Sequence, residues 1–124
     1  MLLVRRIFLV AGIYGLVVLL PMYFLADMMG RQDPPEITHR EYYYGFIGVA
    51  LAWQVLFLIL ATDPRRFRPM IIPAILEKLG YGLAVFTLFA GGHVTGMTLA
   101  TGLVDVAFAA LFAYAFVRIG REYH

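Results

Sequence analysis

Residues 70–90, "MIIPAILEKLGYGLAVFTLFA", decide the fold. Their only charges are the adjacent Glu77 and Lys78. Wound as a helix, such a run matches a bilayer's hydrocarbon core, which takes about 20 residues over roughly 30 Å. Working outward, three more runs have the same character: residues 7–26, 42–61 and 97–117. The chain has 124 residues, 62% of them hydrophobic and only 15% charged, with a mean hydropathy of +0.81. A soluble domain of this length cannot hide that much apolar surface, whereas a lipid-facing one need not. The expectation is an all-α, single-domain, four-span membrane bundle.

The first run follows Arg5 and Arg6 and invites comparison with a signal peptide. It is longer than the ~7–15 residues of a typical apolar signal core, and "FLADMMG" makes a poor cleavage site, so it reads as a retained span. The cations alternate along the chain. Arg5, Arg6, Arg65, Arg66, Arg68, Arg118 and Arg121 flank one side. Arg31 and Arg40 flank the other, beside Asp27, Asp33, Glu36 and Glu41. The positive-inside bias puts both termini in the cytoplasm. The pI of about 9.1 is thereby explained by orientation in the bilayer, not by nucleic acid. No cysteine is present, which excludes disulfides, thiolate metal sites and cysteine nucleophiles.

Short connections predict antiparallel neighbours in an up-down bundle. Asp33-Pro34-Pro35 predicts an extended turn, "DPRRFRP" from Asp63 a tight inner turn, and "GGHVTG" from Gly91 a second outer turn. Ala11 with Gly15, Gly48 with Ala52, and the patch Gly80, Gly82 and Ala84 provide for close helix approach. Tyr42, Tyr43 and Tyr44 suit an outer aromatic belt, and Phe67 and Tyr123 an inner one.

Five polar side chains fall inside the spans: Tyr14, Gln54, Glu77, Lys78 and Asp105. At about 1.5 Å of rise per residue, Tyr14, Gln54, Glu77 and Lys78 reach a similar depth, roughly 10–12 Å from the inner edge, with Asp105 some 18 Å up. Long side chains bridge that difference, so all five converge on one polar locus in the inner half. Successive helix residues point about 100° apart, so Glu77 and Lys78 should each find a partner on another helix. Lys78, on a face with Ala74, Gly82 and Val85, should meet Asp105. Glu77, on a face with Pro73, Gly80, Tyr81 and Ala84, should take a hydrogen bond from Gln54 or Tyr14, or stay protonated. Three readings stay open: a polar pair that fixes helix register, a ligand or proton-handling site, or Pro73 as the first helical residue with Lys78 snorkelling to the headgroups.

His39 and His93 read as exposed loop histidines, since their spacing, even with Glu36 and Glu41, repeats no metal- or haem-ligand pattern. Arg65, Arg66 and Arg68 read as topology determinants, with anionic headgroups as an alternative partner. Trp53 reads as packing. No phosphate loop, nucleophile elbow or metalloprotease motif occurs, and no cofactor is specified.

The segment "LEKLGYGLAVFTLFAGG", residues 76–92, resembles a helix of DoxX-like small bacterial membrane proteins, in which a Glu is followed by small residues and a terminal glycine. The matching positions are Glu77, Gly80, Gly82, Ala84 and Gly91, although the helix comes third here and usually second there. The resemblance implies a four-helix membrane protein, with roles as a subunit of oxidoreductase systems. The expected function is a non-enzymatic subunit or a binder of a lipophilic molecule or partner helix, alone or as a homo-oligomer. The alternative is an integral-membrane enzyme or redox subunit acting on a quinone- or sterol-like substrate, with Glu77 as acid/base and Lys78 as electrostatic stabiliser.

Overall fold

An apolar run leaves its backbone N–H and C=O groups no better partners than one another, and helix formation pairs them within the segment. The computed structural model, which describes residues 1–32 and 37–122, shows this happening four times. The long helices are α1 (Leu2–Met22), α3 (Arg40–Thr62), α4 (Ile71–Ala90) and α5 (Gly96–Glu122), with a short α2 (Ala26–Gln32) between the first two. All four long helices, α4 counted with the 3-10 turn Arg68–Met70 before it, are long and apolar enough to cross a membrane.

The first helix is displaced from the expected 7–26. It starts at Leu2 and stops at Met22, just after Pro21, whose ring cannot carry a helix onward without loss. Beyond it the chain turns through short-range bonds, among them Phe24 N to Pro21 O at 3.0 Å, before α2 begins. α5 overruns its expected end at 117 and continues to Glu122. α3 stops at Thr62 because Pro64 forces Asp63 into extended backbone (φ −155°). Pro73 lies in the first turn of α4, where a missing N–H costs little, but Ile71 opens the helix. At the other end Gly92 takes a left-handed φ of 77°. The His93 N–H then bonds Leu88 O at 2.8 Å and the Gly92 N–H bonds Phe89 O at 3.0 Å, closing α4 in a Schellman motif. The expected turn at Asp33-Pro34-Pro35, Glu36 and the belt residue Tyr123 lie outside the described residues.

Contacts fix an up-down order. Gly12 lies against Leu58, Gly15 against Gln54 and Gly48 near Tyr23, so α1 and α3 run antiparallel. Lys78 meets Asp105, and Gly82 meets Gly102 and Val106, so α4 and α5 do likewise. These two hairpins pack closely within themselves and more loosely on each other. They join firmly at the end that carries the α3–α4 loop. There Phe112 stacks on Phe8 (4.7 Å between ring centres) and edges onto Phe57 (5.0 Å), with Val4, Leu60, Ile71 and Ile119 buried around them. A smaller cluster of Leu19, Ile47 and Ala50, flanked by Tyr23, Tyr43 and Tyr44, closes the opposite end of the α1–α3 pair.

Elsewhere the apolar side chains point outward: Val17 is 67% exposed, Leu76 63% and Leu83 57%. Such an inside-out surface is costly in water and neutral against lipid. Of the expected small-residue contacts, Ala11 with Gly15 is used, and Gly82 seats α5. Gly48, Ala52, Gly80 and Ala84 are exposed instead, the last two because α3 and α4 do not close on each other along the face they line. Arg68 has a role beyond orientation. Its Nε donates to Phe116 O at 3.0 Å, its guanidinium lies 3.9 Å over the Phe116 ring, and Gly120 leaves room for it.

Candidate functional site

Above the aromatic cluster the two hairpins diverge, and the space between them is where the polar residues meet. Lys78 is 2% exposed, facing α5 from the buried stripe of Ala74, Gly82 and Val85. Its Nζ stands 3.5 Å from Asp105 Oδ1 and 3.9 Å from Glu77 Oε2, over the rings of Phe57 (5.2 Å) and Phe108 (5.5 Å). Both carboxylate distances exceed the 2.7–2.9 Å of a tight charge-assisted bond, so one ammonium is held between two carboxyls with aromatic faces beneath it. Lys78 does not reach the helix start, which removes the snorkelling arrangement.

Glu77 departs from expectation. Although it is Lys78's neighbour on the helix, the long lysine stem brings the ammonium back within ion-pair range. Neither Gln54 nor Tyr14 bonds its Oε2, which is buried without a hydrogen-bond partner. Gln54 donates its Nε2 to Ala50 O one turn back, at 2.8 Å, leaving its own Oε1 buried without a partner. Gly15 makes this possible, since a Cβ there would occupy the space of the Gln54 side chain. The Tyr14 ring rests 5.6 Å from Phe108.

All five residues line one cavity of about 270 Å³. Its floor is Glu77, Lys78, Asp105, Gln54 and Tyr14, and Thr101 lies above with its hydroxyl 2.9 Å from Tyr81 Oη. Its roof is α2, which contributes Met28 and Met29, with Met22 and Met97 at the sides. The expected inner-half locus is therefore only the floor of a space that continues to the α2 end of the bundle. Methionines are adaptable walls, being unbranched and polarizable. α2 is tied down by an exposed Arg40–Asp27 pair at 3.2 Å, and Tyr43 Oη bonds Met22 O at 2.5 Å just before it. The roof is the part that sequence reasoning missed. Its signal was present in "ADMMG", where a charge interrupts the first apolar run beside two methionines.

A second, more open space of about 650 Å³ runs between α3 and α4, along the face where those helices stand apart. Phe46, Ala50, Glu77 and Tyr81 line both spaces, so the two share a wall. Trp53 contributes to this groove as well as packing on the core.

The remaining candidates lie away from this centre. His39 is exposed, 3.5 Å from Glu41 and 5.4 Å from the Tyr42 ring, and His93 is exposed in the α4–α5 turn. Among the described residues no group of three or more His, Asp or Glu side chains is placed to hold a metal ion. Comparison with family models, curated proteins and solved structures finds no match, so the site is read from its own geometry.

Proposed function

We propose that this chain is a small multi-pass protein of a bacterial cytoplasmic membrane, with both termini cytoplasmic, that binds a lipophilic molecule without transforming it. One observation carries the reading: a cavity with apolar and methionine walls ends on a floor where a buried lysine is shared by two carboxyls. Intramembrane charge is costly and is retained mainly where it pairs or acts on something. A register-fixing pair needs one cation and one anion. The second carboxyl and the space above it exceed that need. A polar end group seated on the floor and an apolar body against Met28, Met29 and Met97 would use both. The protein acts alone, as a homo-oligomer, or as a membrane subunit, the last in keeping with the resemblance of residues 76–92 to DoxX-like proteins.

A second reading is favoured by Glu77 Oε2, which is buried, accepts no hydrogen bond and has only the Lys78 ammonium nearby at 3.9 Å. In an integral-membrane enzyme or redox subunit acting on a quinone- or sterol-like molecule, that carboxyl would exchange a proton with the substrate while Lys78 stabilises charge.

The test is purification in mild detergent followed by mass spectrometry of an organic extract. Binding predicts one lipophilic species enriched with the wild type and depleted with Glu77→Leu. Extracts of matching bulk-lipid composition from both proteins count against it. Chemical conversion of the bound species by wild-type protein would move the assignment to the enzyme reading.

A further inference from the structure

The floor of the cavity sets two acidic groups against one cation. Glu77 Oε2 and Gln54 Oε1 are both buried and accept no hydrogen bond. Gln54 is 1% exposed, its Nε2 bonds Ala50 O and its Oε1 packs against Gly15 of α1, so Glu77, which lines both spaces, is the acceptor left to an incoming group. The lysine is already committed to two carboxyls, so the locus carries one positive group against two acidic ones. A buried acceptor without a donor destabilises a site until something donates to it. The complementary end group is therefore a donor, neutral or cationic, and an anionic one meets like charge.

Access points the same way. The groove between α3 and α4 shares Glu77 with the cavity and opens on a face where Gly45 and Gly80 carry no side chain. A Cβ added at Gly45 or Gly80 meets nothing within 4 Å, so this slot is open space and not a packed seam. Val49 and Tyr42, 64% and 72% exposed, line its outer part. In a membrane this opening faces acyl chains.

We infer that the groove between α3 and α4 is a lateral portal through which a long-chain alcohol or amine enters from the bilayer, its hydroxyl or ammonium donating to Glu77 while its chain lies in the groove. This rests on the binding function proposed above and specifies its ligand class and route.

The single Trp53 lines the groove and reports on it directly. The protein in lipid nanodiscs is titrated with three probes that share one dibrominated octadecyl chain and end in a hydroxyl, an amine or a carboxylate. Bromine quenches tryptophan on contact. The alcohol and amine should quench Trp53 saturably, at concentrations about tenfold or more below the carboxylate, since an anionic end group meets like charge at the floor. Gly80→Phe and Gly45→Phe, which fill open space and leave the fold intact, should each abolish the saturable component. Glu77→Gln, which keeps an acceptor but not the charge, should weaken the amine more than the alcohol.

Equal affinity for all three probes overturns the donor end group and leaves binding intact. Saturable quenching unchanged in both glycine variants overturns the portal. Absence of saturable quenching overturns the inference as a whole. If a species still co-purifies with the wild type, the binding function survives that result; if none does, both fall. A disulfide-linked dimer formed by Gly45→Cys or Gly80→Cys, with Trp53 shielded, would assign the groove to a second copy and also overturn the inference.

Discussion

The Lys78 ammonium and the Asp105 carboxyl meet 3.5 Å apart across α4 and α5, the lysine buried and the aspartate nearly so. Lys78 also keeps Glu77 at 3.9 Å, so the two carboxyls depend on one cation. This asymmetry makes the single variants unequal. Lys78→Met should destabilise by on the order of 3 kcal/mol, because it strands two acidic groups. Asp105→Asn should cost less, because Glu77 remains as partner. A double-mutant cycle by thermal unfolding in detergent should give a coupling of about 1–3 kcal/mol. Additive losses would dissolve the pair.

The glycines separate into packed and open positions. Gly82→Val drives a side chain into Val106 and the Gly102 carbonyl, and should lower stability by about 1–3 kcal/mol. Gly80→Val, two residues away, meets nothing and should change it by less than about 0.5 kcal/mol. The same unfolding assay compares them. Equal losses would mean that α3 and α4 close in the membrane.

Arg68 should behave unlike its neighbour Arg66. Removing Arg68 deletes a hydrogen bond to Phe116 O and a contact over its ring, a loss of about 1–2 kcal/mol. Arg66→Ala, at an exposed position beside Phe67, should be near neutral in stability. If the two variants unfold alike, Arg68 serves orientation alone.

The arginine bias predicts an orientation, which reporter fusions at the C-terminus test. A fused fluorescent protein should be bright and a fused alkaline phosphatase inactive, as for a cytoplasmic end. The reverse pattern would contradict either the sidedness or the span count.

Much of this arrangement was legible in the residues. A run with two charges in twenty-one residues can only be an apolar helix, and the periodicity that set Lys78 on a stripe with Ala74, Gly82 and Val85 also aimed it at Asp105. The polar floor was legible for the same reason, because helical rise converts sequence position into depth. The roof was not. Whether the chain past Pro21 continues a helix or folds back as α2 depends on short-range bonds that hydropathy does not register. Nor does a small residue announce its partner. Gly82 and Gly80 look alike in sequence, yet one seats α5 and the other borders an open groove, because only the first faces a neighbour. Glu77 was expected to point away from Lys78, but the flexible lysine stem brings the ammonium back to it.

The central claim is that the cavity above Glu77, Lys78 and Asp105 holds a lipophilic molecule. Native mass spectrometry of the protein released from mild-detergent micelles tests it most directly. Wild-type protein should carry one bound species at one copy per chain, lost in Glu77→Leu while the folded charge-state distribution is kept. A bare chain, or the same ladder of multiple lipid adducts on both proteins, would contradict it.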